Sequence, residues 1–168
     1  MKATYVCSHN LAGGWTISGV GSMQAGNPLT IGAGTNTLGL GGNANSYADQ
    51  NGAVKYPHTR KQWFDGSGVF SQPAPLTWGN SKRSSVKGPG RNNWNISLFK
   101  NFQFSERTGI QLKVESFNTW NHSQITGVNT GVLNGALGTG PGAYNATQGN
   151  VTGFADPRAF QLGAKAYF

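Results

Sequence analysis

The chain is short of cysteine, of acidic residues and of long apolar runs, and each shortage excludes something. Its one cysteine, Cys7, makes no internal disulfide. His9, His58 and His122 stand far apart without flanking ligands, so no metal set is expected. No apolar run approaches the ~18 residues of a spanning helix. Met1 to Asn10 lacks the charged-then-apolar pattern of a secretory signal. The five acids are Asp49, Asp65, Glu106, Glu115 and Asp156. Glu106 sits beside Arg107 and is expected to form a surface ion pair with it. No nucleophile elbow occurs, and Gly32-Ala33-Gly34 and Gly138-Thr139-Gly140 lack the helix and lysine of a phosphate loop. We therefore expect no enzyme: no catalytic residue, cofactor or metal is assigned.

What is present is glycine, small polar residues and rings. Charged residues make up 11% of the chain, against about 25% in an ordinary soluble domain. There are 26 Gly beside nine Phe, five Trp and five Tyr. So many rings argue against disorder, because they supply buried area. The formal net charge is +8, which suits phosphate-bearing partners such as anionic lipid or lipopolysaccharide. Lys82, Arg83, Lys87 and Arg91 form the densest basic group, in a Gly/Ser/Pro-rich loop that reads as solvated or anion-binding. The cations are otherwise scattered and no single-strand-binding motif accompanies them, so no nucleic-acid partner is expected.

Period-two patterning dominates, and no helical stripe survives three turns. Trp15, Ile17, Gly19, Gly21 and Met23 make one face of a first strand. Trp94, Ile96 and Leu98 lead a second, which runs on to Phe102 and Phe104 with an expected phase slip or bulge near Lys100. Ile110, Leu112 and Val114 alternate with Gln111, Lys113 and Glu115 in a third. In the tail, Phe160, Leu162, Ala164, Ala166 and Phe168 are apolar, and Gln161 and Lys165 lie on the other face. A weaker strand candidate is Ala3 to Ser8. The fold class expected is all-β and antiparallel.

Connections alternate in length. Asn10–Gly14 and Ser105–Gly109 are short, whereas Ala25–Asn93 and Asn121–Asp156 are long. Loops beyond about 12–15 residues are uncommon in compact domains. Short turns at one end and long loops at the other fit the C-terminal part of a transmembrane β-barrel, with short periplasmic turns and long external loops. Trp15, Ile17, Met23, Trp94, Ile96, Leu98, Ile110, Leu112 and Val114 are then expected to face lipid. Gln111, Lys113, Glu115, Gln161 and Lys165 would face the lumen, where Lys113 and Glu115 would pair with adjacent strands or contact substrate. Trp15, Trp94, Trp120 and Phe168 fall near strand ends, as an interfacial girdle requires. Trp63, Phe64, Phe70 and Trp78 lie in the first long loop and read either as loop packing or as ligand-contacting aromatics.

Several stretches together resemble the C-terminal end of TonB-dependent outer-membrane receptors, particularly the Oar-like group. They are Gly13-Gly14-Trp15-Thr16-Ile17-Ser18-Gly19, Gln24-Ala25-Gly26-Asn27-Pro28, Gln62-Trp63-Phe64 and Gly79-Asn80-Ser81-Lys82-Arg83. Gly88 through Phe102, Phe117-Asn118-Thr119-Trp120-Asn121-His122 and the Asp156-Pro157-Arg158 entry to the tail continue the series. The resemblance implies a 22-stranded, plugged barrel of the bacterial outer membrane that takes up a bulky nutrient, a siderophore or an oligosaccharide, with energy delivered through TonB. It also implies that Phe160, Leu162, Ala164, Ala166 and Phe168 carry the signal read by the barrel-assembly machinery. With four or five strands and no signal peptide, plug or TonB-contacting segment, residues 1–168 are expected to be a partial barrel, the tail of a longer receptor, reaching TonB only through the missing N-terminal part. The alternative from composition alone is a secreted, Gly-rich β-sandwich that binds glycans or surface partners through its loops.

Overall fold

A computed structural model describes residues 13–34, 36–40, 46–133 and 140–168 of the chain. The weak strand at Ala3–Ser8, with Cys7 and His9, lies outside the described residues, as do Gly138 and Thr139. The described residues form ten strands and no helix. In chain order these are β1 (Trp15–Gln24), β2 (Pro28–Leu29), β3 (Asp49–Gln50), β4 (Phe70–Ser71) and β5 (Val86–Lys87), followed by β6 (Arg91–Gln103), β7 (Gly109–Phe117), β8 (Ile125–Val128), β9 (Val151–Phe154) and β10 (Ala159–Tyr167). The chain divides into two compact units.

The first unit holds a four-stranded antiparallel sheet in the order β1-β6-β7-β10. Its strands contain 10, 13, 9 and 9 residues, close to the ~9–11 of a tilted transmembrane strand. The register is unbroken from Trp15↔Lys100 to Gln24↔Arg91 and from Ile96↔Ser116 to Gln103↔Gly109. It runs likewise from Ala159↔Phe117 to Tyr167↔Gly109. The bulge expected near Lys100 is therefore absent. Ile96, Leu98, Lys100 and Phe102 keep one parity, and Lys100 is a cation standing within an apolar row. Its side chain is only 5% exposed. The ammonium donates to the Gly13 carbonyl and lies 5.0 Å from the Trp15 ring centroid and 5.3 Å from that of Phe102. These contacts replace water around a charge that is otherwise costly to bury.

Segment 104–108 joins β6 to β7 at the end of the sheet that carries Trp15 and Tyr167. Phe104 and Ser105 N–H groups both donate to the Thr108 carbonyl, at 3.0 and 3.1 Å. Glu106 and Arg107 are exposed there and form no ion pair with each other; a salt bridge in the described residues is Lys113–Glu115 instead. Gly109 ends the turn because Tyr167 covers it: a Cβ there would sit 2.2 Å from the phenol oxygen. Segments 25–90 and 118–158 both leave from and return to the opposite end of the sheet, marked by Gln24, Arg91, Phe117 and Ala159.

The exit from β7 explains one sequence motif. Asn118 adopts φ 49°, a left-handed conformation that Asn tolerates better than most residues. Its side chain accepts from the His122 N–H at 3.0 Å and donates to the His122 and Asp156 carbonyls at 3.1 and 3.4 Å. Asn121 accepts from the Arg158 N–H at 3.1 Å. The departing and returning chains are thereby tied together at the start of β10.

The second unit comprises Ala25–Gly90 and Ile125–Ala155. The two long connections are not separate loops but one folded body with a shared core. Ile31, Ala48, Phe64, Phe70 and Val86 from the first connection bury against Val132 from the second. Strand pairs β2–β5, β3–β4 and β8–β9 frame it. Hydrogen bonds cross between the connections: Trp63 N–H to Gly149 O at 2.9 Å, Val151 N–H to Lys61 O at 2.8 Å and Gln72 N–H to Ala143 O at 2.8 Å. Gly149, at φ +89°, permits the contact, since a Cβ there would fall 1.7 Å from the Phe64 carbonyl oxygen.

Candidate functional site

Opposed residues of an antiparallel pair share a face, so the register sorts the sheet's side chains into two surfaces. One carries Trp15, Ile17 and Met23 of β1, Trp94, Ile96 and Leu98 of β6, Ile110, Leu112 and Val114 of β7, and Phe160, Leu162, Ala164 and Ala166 of β10. Ile17, Leu98, Val114 and Leu162 form one aliphatic row across all four strands. Trp94 lies over Gly21, where an added Cβ would meet the indole ring at 2.9 Å. The indole N–H donates to Asn92 Oδ1 at 2.9 Å, which leaves the ring's apolar body on the face and its polar edge at the strand end. This surface is uncovered within the unit: Leu162 is 77% exposed, and Ile17, Met23, Leu112 and Val114 are exposed too. Such a contiguous apolar patch marks contact with a partner or a membrane.

The second surface carries Gln111, Lys113 and Glu115 of β7, Gln161 and Lys165 of β10, and Ser18 and Ser97 beside them. Lys113 Nζ lies 2.8 Å from Glu115 Oε2, and Ser97 Oγ donates to Glu115 Oε1 at 3.1 Å. Gln111 donates to Asn101 Oδ1 at 2.8 Å. Lys113 and Glu115 thus pair with one another along their own strand. Phe99 is a ring on this otherwise polar side, 5.6 Å from Lys113 Nζ. Phe168 lies just past β10 and is fully exposed. Among the described residues β10 pairs with β7 alone, so its outer edge is open.

The four loop aromatics separate sharply. Phe64 and Phe70 are fully buried in the second unit's core, which fits their reading as loop packing and corrects the alternative of ligand contact. Apolar rings in a chain folded on itself gain more by burial than by exposure. Trp78 is exposed. Trp63 is half-buried and lines a cavity of about 570 Å³ with Tyr56, His58, Lys87 and a wall of Ala25, Gly26, Gly88 and Gly90. The rings are close: Tyr56 and His58 centroids are 5.5 Å apart, and those of His58 and Trp63 are 4.4 Å apart. The Trp63 indole N–H donates to the Lys87 carbonyl at 2.8 Å, and the Lys87 N–H donates to the Tyr56 phenol oxygen at 3.1 Å. One residue of β5 therefore fixes both flanking rings. The sequence singles out neither Tyr56 nor His58 as a ligand contact, and Lys87 only as part of the basic group that reads as solvated or anion-binding. The density of rings between Tyr56 and Trp63 was the available signal, but their convergence on β5 depends on contacts across 24 and 31 residues.

Lys82, Arg83, Lys87 and Arg91 are all exposed, as either reading of the basic group requires.

A family model described as an outer membrane beta barrel domain matches residues 5–161. No curated protein and no solved structure matches the chain. The family match spans β1, β6 and β7 and enters β10, and the antiparallel order, the two-faced sheet and the segregated connection lengths accord with it. The chain belongs to the outer membrane beta barrel domain family, and its location is the bacterial outer membrane.

Proposed function

We propose that the chain is the C-terminal barrel portion of a TonB-dependent receptor that takes up a bulky nutrient, a siderophore or an oligosaccharide, without catalysing a reaction. The observation that carries this reading is the sheet order β1-β6-β7-β10, with long connections confined to one end and folded together. The motif series described above, from Gly13 to the tail, favours this receptor class over other outer-membrane barrels. In this reading Trp15, Ile17, Met23, Trp94, Ile96, Leu98, Ile110, Leu112 and Val114 face lipid and lipopolysaccharide. Gln111, Lys113, Glu115, Gln161 and Lys165 face the lumen.

Four strands cannot close a barrel, for which eight is the usual minimum. Unpaired edges are not tolerated in the hydrocarbon core, so further strands of the receptor complete the sheet on both sides. The open edge of β10, with Phe160, Leu162, Ala164, Ala166 and the terminal ring of Phe168, is the segment offered to the barrel-assembly machinery. TonB engages the receptor through its N-terminal part.

The test is to raise antibodies against the second unit and probe the source bacterium's outer membrane after in vivo cross-linking. The reading predicts a polypeptide several-fold longer than 168 residues that cross-links to TonB. A 168-residue product without a TonB cross-link would overturn it.

A further inference from the structure

The cavity beside β5 has a composition that selects a ligand. Its side chains are three rings, one lysine and the Ala25 methyl; among the described residues no carboxylate or carboxamide side chain lines it. A sugar site must pair many hydroxyl groups, and each one left unpaired on burial is penalised. This cavity has few partners for them. The rest of the lining is nearly bare backbone. Gly26 and Gly88 are in such close contact that a Cβ on Gly26 would lie 1.8 Å from the Gly88 carbonyl oxygen. The result is a slot lined by rings and by bare peptide, its size within the ~300–1,000 Å³ of small-molecule sites. His58 is held between the other two rings at φ 53°, a strained choice for a residue with a Cβ and one associated with binding sites. The His58 N–H donates to the Trp63 carbonyl at 3.3 Å and closes the loop that presents both.

The field around the slot is positive. The second unit contains six lysines and arginines against two aspartates, and Lys87 stands in the lining with an exposed side chain. Such an excess draws anions toward the site, and the ammonium is available for a charge-assisted hydrogen bond.

We propose that this slot binds a planar aromatic anion, a phenolate or an aromatic carboxylate, with its ring against Tyr56, His58 and Trp63 and its charge on Lys87. The inference deepens the uptake reading by naming the chemical class recognised by the receptor's loop body. Equilibrium binding needs no energy transduction, so failure to cross-link TonB and failure to bind are separate results.

The experiment uses the whole native protein, extracted from outer membranes in detergent. Calorimetric titrations with 2-naphthoate, the uncharged 2-naphthamide and maltotriose are compared. Naphthoate is expected to bind about tenfold more tightly than naphthamide, the effect of one charge-assisted bond. Lys87→Gln should abolish that preference, because the charge is lost while the backbone bonds to Tyr56 and Trp63 persist. Lys87→Arg should retain the preference, and Tyr56→Ala should weaken both aromatic ligands. Equal binding of naphthoate and naphthamide, a preference that survives Lys87→Gln, binding of maltotriose alone, or no binding would each overturn the proposal.

Discussion

An arginine in the middle of the apolar face tests the orientation of the sheet most severely. Val114 lies in the row Ile17–Leu98–Val114–Leu162. On β6 this row is four residues from Trp94 and four from Phe102, the rings near each end of the face. Four residues span roughly 14 Å along a strand, or about 10 Å along the membrane normal at a 45° tilt. The two ring levels then stand about 20 Å apart, close to the ~25 Å apolar band of outer-membrane barrels, and Val114 is near its midplane. Val114→Arg should cost about 2–4 kcal/mol, the penalty for a midplane cation on the lipid face. The folding equilibrium constant falls by roughly 30- to 1,000-fold, at ~1.4 kcal/mol per tenfold. Gln161 is the matched control. It neighbours Leu162 at the same depth, lies on the polar face and opposes Glu115. Gln161→Arg should stay within about 0.5 kcal/mol of the native protein, as exposed polar substitutions do. The assay is denaturant titration of the whole receptor in lipid vesicles, read by the heat-modifiable mobility of the folded barrel. Equal costs for the two substitutions would refute the facing assignment.

Other consequences are also measurable. Gly21→Val must displace the Trp94 ring that an added Cβ would meet at 2.9 Å, at a cost of about 1–3 kcal/mol, visible as changed tryptophan emission; an unchanged spectrum and midpoint would contradict the stacking. Phe64→Ala should remove about 3–5 kcal/mol from the loop body and expose residues 25–90 to protease while β6 and β7 stay protected. Asn118→Ala loses side-chain bonds to His122 and Asp156 at a positive φ and should cost about 1–3 kcal/mol, with faster proteolysis after β7 as its signature. Phe168→Glu should reduce assembly of the receptor into the outer membrane, and normal insertion would count against the role given to the β10 edge.

The four long strands were legible because a two-residue period is local: Trp15–Met23 or Ile110–Glu115 shows both faces within one short window. The ends at which connections are short or long followed from the same strands. Lys100 was misread for a physical reason. A cation in an apolar row looks like a slipped phase, and only the contacts with Gly13, Trp15 and Phe102 show how the row accommodates it. The rings of the first long loop already suggested packing, but the partners that make one body of two connections were beyond reach. Val132 shares a core with Ile31 and Val86 from distant parts of the chain, and strands of two residues such as β2 and β5 carry no periodicity. Trp63, Phe64 and Phe70 look alike as rings in a loop, yet one lines a cavity and two are core. Partition of that kind depends on tertiary packing rather than on residue type. The pairing of Glu106 with Arg107 failed because adjacent residues in an exposed turn gain little by holding two side chains together.

The central claim is that the apolar face of the four-stranded sheet meets lipid. Single spin labels at residues 110 to 115 of β7, in a Cys7→Ser background in the whole receptor, measure it directly through relaxation by oxygen and by a water-soluble nickel complex. The account predicts alternation, with oxygen dominant at 110, 112 and 114 and nickel dominant at 111, 113 and 115. Uniform accessibility, or the opposite alternation, would contradict it.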